Sequence, residues 1–173
     1  MPAPTVLSPA LQHRWLVEHI PFRVQATIIA LPMKGPWAVP RRFLKPEDVT
    51  ELCTQSAIFN GRLAAMRWLI MFVGISESKG APAEAAIRNI KEDVRIDRFD
   101  GGVLIDRKSK EASALARMWK GCSQAISHPT QDTNHPKIGR EELTEAFIIV
   151  AEHLQNTIYR SKRLNLLQLT LGR

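Results

Sequence analysis

SKEASALARMWKGCSQAISHPTQDTNHP, residues 109–136, is the stretch from which the architecture can be read. Leu115, Met118, Trp119, Cys122, Ala125 and Ile126 recur at helical spacing, so the first half is expected to be an amphipathic helix with one apolar stripe turned to a core. Ser109 is placed to cap it, and Glu111 lies in the first turn, where a negative charge suits the positive helix end. Pro129 disfavours helical geometry at His128, so the helix should stop there, with His128 at its rim.

The following HPTQDTNHP has no apolar periodicity and is rich in turn-forming residues, two of them prolines. A second helix is expected from Arg140, capped by Gly139, with Leu143, Ala146, Phe147, Val150, Leu154 and Ile158 stepping by three and four. The loop is short, so the two helices should pack antiparallel as an αα-hairpin, gathering His128, Asp132 and His135 at one end.

Outward from this hairpin, residues 1–8 read as a loose arm. Helical spacing then runs through Trp15, Leu16, Ile20, Val24, Ile28 and Leu31, interrupted by Pro21, which either kinks one helix or opens a second. The kink is favoured, because the apolar face continues through it. Residues 33–46 carry three prolines with Arg41, Arg42 and Lys45, a basic connector. Pro46 to Ile75 gives the longest expected helix, a seam through Val49, Leu52, Phe59, Leu63, Met66, Ile70 and Val73. Beyond Gly61 it becomes apolar on several faces, as suits the central helix of a bundle or half of a dimer interface. Gly74 to Pro82 reads as a turn and Pro82 to Lys91 as a short helix. Short apolar runs around Asp100-Gly101-Gly102 suggest a β-hairpin within 94–105, or equally an irregular linker. Residues 164–173 form an apolar tail that must pack somewhere. The expected fold is therefore all-α: one domain over 1–173, an antiparallel bundle of four to five helices with one small hairpin near 94–105.

At 173 residues and 45% hydrophobic content the chain can fill a core without staples. Cys53 and Cys122 lie on or beside apolar stripes and offer no disulfide framework, which points to a reducing cytoplasm. Met1 to Ala10 lacks the pattern of a signal peptide, and the longest apolar window, residues 64–75, is too short to span a bilayer, so a soluble protein is expected. The net charge is +7. Residues 47–97 are slightly acidic while both ends are basic, a bias compatible with RNA or DNA as partner. Nucleic-acid contacts would fall to Arg41, Arg42, Lys45, Arg117, Lys120 and Arg140. No Walker loop, dinucleotide fingerprint, CxxC pair, HExxH helix or nucleophile elbow is present, so the commoner cofactor enzymes are not indicated.

The sharpest candidate site is the rim cluster of His128, Asp132 and His135, with Gln124 one turn before His128. Two imidazoles and a carboxylate suit either a divalent ion or acid–base chemistry near neutrality. Their spacing matches no known metal motif, and no metal or cofactor is expected. Ordered histidines that bond backbone carbonyls are the blander reading. Residues 109–158 resemble the core of HEPN-type helical domains. Many of these are metal-independent ribonucleases with an Arg, four to six intervening residues and then a His near a helix end. The resemblance implies His128 as the catalytic histidine, His135 as an assistant and a homodimer that joins two such faces at one cleft. Ten residues separate Arg117 from His128 and seven separate Lys120 from it, distances of about 16 and 12 Å along a helix. An Arg from elsewhere, Arg62 or Arg140, would have to complete the pair.

Three further features have structural readings. Arg14, His19 and Arg23 lie in the first helix, where His19 and Arg23, four apart, share a face that reads as exposed and charged. His153 sits beside the Val150 and Leu154 stripe, and Trp15, Trp37, Trp68 and Trp119 read as anchors of a core or interface. The leading expectation is a small basic helical protein that associates with itself and binds nucleic acid. The alternatives are a HEPN-like ribonuclease and an adaptor that binds a partner along the seam helix.

Overall fold

In the computed structural model the described residues are 6–28, 60–86, 94–127 and 138–170. They are mostly helical, with one two-stranded antiparallel sheet, as expected. Helix α1 (Pro9–Arg14) runs through a π turn (Trp15–His19) into α2 (Ile20–Ile28). Residues 60–72, here α3, lead into the strands β1 (Ile75–Ser78) and β2 (Ala81–Glu84). A 3-10 turn (Ile96–Arg98) precedes α4 (Lys110–Ser127) and α5 (Arg140–Leu154). A second π turn (Gln155–Tyr159), a 3-10 turn (Arg160–Lys162) and α6 (Leu166–Thr170) close the described chain.

Pro21 does not break the first helix, and the π turn before it shows how. The Ile20 N–H reaches back five residues to the Trp15 carbonyl. In the same wide pattern the Leu16 carbonyl would await the N–H of residue 21, and proline has none. That carbonyl is buried. It is satisfied from 143 residues away, where the fully buried Tyr159 donates its hydroxyl at 2.8 Å. A gap created by one proline is thus closed by one phenol, joining the two π turns across the core.

Helix α3 supplies the centre of the packing. Leu63, Met66, Leu69, Ile70, Phe72 and Val73 are each at most 1% exposed. The helix ends before Ile75, however, which was expected to be its last residue. Gly74 has φ of +95°, a conformation that L side chains rarely adopt, and Ile75 opens β1. The hairpin therefore lies at 75–84, with Ile75 opposite Glu84 and Ser78 opposite Ala81. This overturns two expectations, a turn over 74–82 and a helix starting at Pro82. The chain reverses at Lys79-Gly80, both with positive φ, and the Gly80 N–H is held by the Glu77 carboxylate.

Residues 94–105 form no strand. Their backbone groups are engaged one by one: Leu7 donates to Arg98, Gly102 to Phe99, and Ile105 to Val73. No ladder partner remains for a second hairpin. The first of these bonds also corrects the loose arm at its end, because Leu7 is 7% exposed and its carbonyl takes the Gln12 amide at 2.7 Å. Arg95 ties this segment to the sheet. Its guanidinium bonds Asp97 at 2.6 and 3.0 Å, Glu84 at 2.7 Å and the Ala85 carbonyl at 3.0 Å.

The apolar stripes of α4 and α5 face the core as their spacing required, with Leu115, Met118, Cys122, Leu143, Ala146, Val150 and Leu154 all buried. Ser109 caps α4, accepting the Ala112 N–H at 3.0 Å, and the Glu142 carboxylate returns to the Gly139 N–H at the start of α5. Of the tail, Leu166 is buried and α6 packs on α2. Among the described residues no helix is long and apolar enough to cross a membrane.

Candidate functional site

Helices α4 and α5 pack antiparallel: Lys110, at the start of α4, lines one cavity with Ile148 and Ile149, while Gly121, near its end, lines another with Ile138. The cavities, of about 700 and 470 Å³, share Ala114 and Glu145 and so form one continuous groove. Periodicity explains its walls. Lys110, Ala114, Arg117, Gly121 and Gln124 step by four and three along α4, on the side away from its buried stripe. Glu141, Glu145 and Ile148 step by four and three along α5. The floor is apolar, through Ala114, Met118, Ile138 and Ile149. Ile148 stands at the edge, 46% exposed, where an isoleucine gains nothing from water.

Charge is divided between the two walls. The α4 wall carries Lys110, Arg117 and Lys120 against Glu111, whereas the other carries Glu141, Glu142 and Glu145. Lys120 also approaches the Glu77 carboxylate of the hairpin, at 3.8 Å. The Glu111 carboxyl is held below the usual carboxylate range by its own backbone N–H and by the Ser109 hydroxyl.

Three of the residues anticipated from sequence, Gln124, Arg117 and Lys120, therefore share this groove. Arg117 and Lys120 face a wall of carboxylates there, which weakens any role as an open polyanion surface. Arg140 begins α5. His128, Asp132 and His135, with Arg41, Arg42 and Lys45, lie outside the described residues. Among the described residues no three His, Cys, Asp or Glu side chains are grouped as metal ligands. What sequence reasoning missed was the groove itself. Its signal was present in the polar side of each helix: a stripe with small residues on α4 and an acidic stripe broken by Ile148 on α5.

Behind the groove, Trp119 receives the Arg67 guanidinium of α3, 5.4 Å from the ring centroid. The Arg67 Nε and Trp119 Nε1 groups are buried without a hydrogen-bond acceptor. Cys122 is fully buried beside them. Burial pushes its thiol up to about 12, against the opposing pull of Arg67. Such a thiol is a packing group and not a nucleophile. His153 is likewise structural. Its Nε2 lies 2.6 Å from the Val103 carbonyl, so that nitrogen carries the proton, and desolvation lowers its pKa.

No family model, curated protein or solved structure matches the chain.

Proposed function

We propose that the protein is a self-associating helical module and that the α4–α5 groove is the surface through which two copies meet. The carrying observation is the division of charge across the groove, with a basic α4 wall, an acidic α5 wall and the apolar edge residue Ile148. A two-fold axis along the groove lays α4 of each copy over α5 of the other. Every basic wall then faces an acidic one, and the two Ile148 edges are buried near the axis. This is the self-complementarity that an isologous interface demands. Two helices of this length present a face of roughly 25 by 20 Å in projection. With side-chain relief that approaches the roughly 800 Å² per partner of a standard interface. The apolar side chains of α3, in contrast, are consumed within the protomer, which speaks against its described part as an adaptor surface.

Sedimentation of the wild type at micromolar concentration is expected to give a dimer, and Ile148→Lys a monomer with an unchanged helical spectrum. A monomeric wild type, or a dimer that survives Ile148→Lys together with Glu145→Lys, refutes this assignment.

A second reading, a HEPN-like ribonuclease acting through His128, draws support from Arg62. The Val73 carbonyl at the end of α3 takes the Ile105 N–H ahead of α4, while Arg67 reaches Trp119. The two helices therefore run antiparallel. Five residues before Arg67, about 7.5 Å along the axis, Arg62 is level with the last turn of α4, and Ser127 immediately precedes His128 in sequence. Its Nε is steadied by the Thr27 carbonyl at 2.9 Å. On this reading His128→Ala abolishes cleavage of RNA while the helical spectrum is kept; undiminished cleavage removes it.

A further inference from the structure

The outer face of the first helix carries basic side chains and rings in alternation. Phe22 is 62% exposed, the most open large apolar side chain among the described residues. The exposed Arg23 beside it holds its guanidinium 5.9 Å from the Phe22 centroid and 5.5 Å from that of Trp68. One turn earlier the exposed His19 lies against Trp15, ring centroids 4.8 Å apart. Trp15, Trp68 and Phe72 form a near-parallel stack behind them, with interplanar angles of 4 to 14°.

We infer that this face binds single-stranded nucleic acid, one base stacking on Phe22 with the neighbouring phosphates held by Arg23 and His19. Charge favours this occupant. Arg14 is paired with Glu18 at 3.1 Å, but no described carboxylate lies within ion-pair distance of Arg23 or His19. A guanidinium already held beside two rings loses less freedom when it takes an anion. The phenyl beside it, 62% exposed, leaves room for a flat partner as well. A nucleotide joins a π face to an anion at this spacing, and only an unpaired strand offers the face. The site is distinct from the α4–α5 groove, so self-association and strand binding stand or fall separately.

The test is fluorescence anisotropy of the full chain with labelled oligouridine and oligothymidine of about 12 nucleotides, a duplex of the same length and anionic vesicles as competitors. Phe22 and Arg23 are exposed, so Phe22→Ala, Phe22→Tyr and Arg23→Gln should keep the fold, which circular dichroism checks. Expected is salt-sensitive binding of single strands, weakened about tenfold or more by Phe22→Ala and by Arg23→Gln and kept by Phe22→Tyr. Equal affinity for both oligomers assigns the site to bases and phosphates; a preference for oligouridine assigns it to RNA. No binding at low salt, affinity unchanged in both disruptive variants, or competition by duplex or vesicle at lower concentration than by the strand itself overturns the inference.

Discussion

At the scale of single residues, the Tyr159 hydroxyl is the most consequential polar group in the core. It serves a carbonyl that Pro21 leaves without a donor, and both ends of the bond are buried. Tyr159→Phe keeps the ring and removes only the proton donor, so it is expected to lose about 1–3 kcal/mol, read as a lower midpoint in urea at unchanged slope. An unchanged midpoint would mean that the Leu16 carbonyl finds another donor. His153 makes a second prediction, in pH. Desolvation lowers its folded-state pKa below the ordinary 6.5. Its contribution is thus complete above pH 6.5 and is lost as pH falls from there through the lower folded value, because the unfolded chain binds the proton first. His153→Gln can still donate to Val103 but does not titrate. Thermal melts should show a smaller loss of stability between pH 7 and 5 for this variant than for the wild type; parallel curves would refute the assignment.

At the scale of elements, periodicity located α4, α5 and the described part of the central helix, residues 60–72, because each buries one stripe and a helix advertises its stripe every three to four residues. The expected first half of the central helix lies outside the described residues. Of the two readings of residues 94–105, hairpin and irregular linker, the second holds, and for a physical reason. Asp100-Gly101-Gly102 carries the composition of a hairpin turn, but its glycines answer a different need. A Cβ on Gly102 would stand 1.8 Å from the Ile96 carbonyl oxygen, so the loop closes over its own 3-10 turn. Gly102→Ala must open that loop and is expected to destabilise the protein by about 3 kcal/mol or more. A melting temperature within about 2 °C of wild type would contradict the close approach. The true strands contain Glu77, Ser78, Pro82 and Glu84, poor strand formers, and they are held by packing on α4 and by the Arg95 clamp. Local preference gave no hint of either.

At the scale of the whole molecule, the groove ties stability to concentration. If two copies meet through α4 and α5, the folded dimer is favoured by mass action. The wild-type melting temperature should then rise by several degrees over a hundredfold increase in protein concentration, while that of Ile148→Lys stays constant. A wild-type melt independent of concentration would argue for a monomer that exposes Ile148 for some other partner. The net charge of +7 would not by itself distinguish these outcomes, because the basic residues of α4 share their groove with the carboxylates of α5.

The amino-acid sequence alone determined that the chain is helical, which faces of α4 and α5 are buried, and where α4 begins, since apolar spacing and capping chemistry act within a few residues of one another. Only the tertiary structure decided that the hairpin is residues 75–84, that Tyr159 repairs what Pro21 removes, and that basic and acidic stripes far apart in sequence become the two walls of one groove. Each of these depends on groups brought together across the fold, whose mutual distance no local pattern encodes.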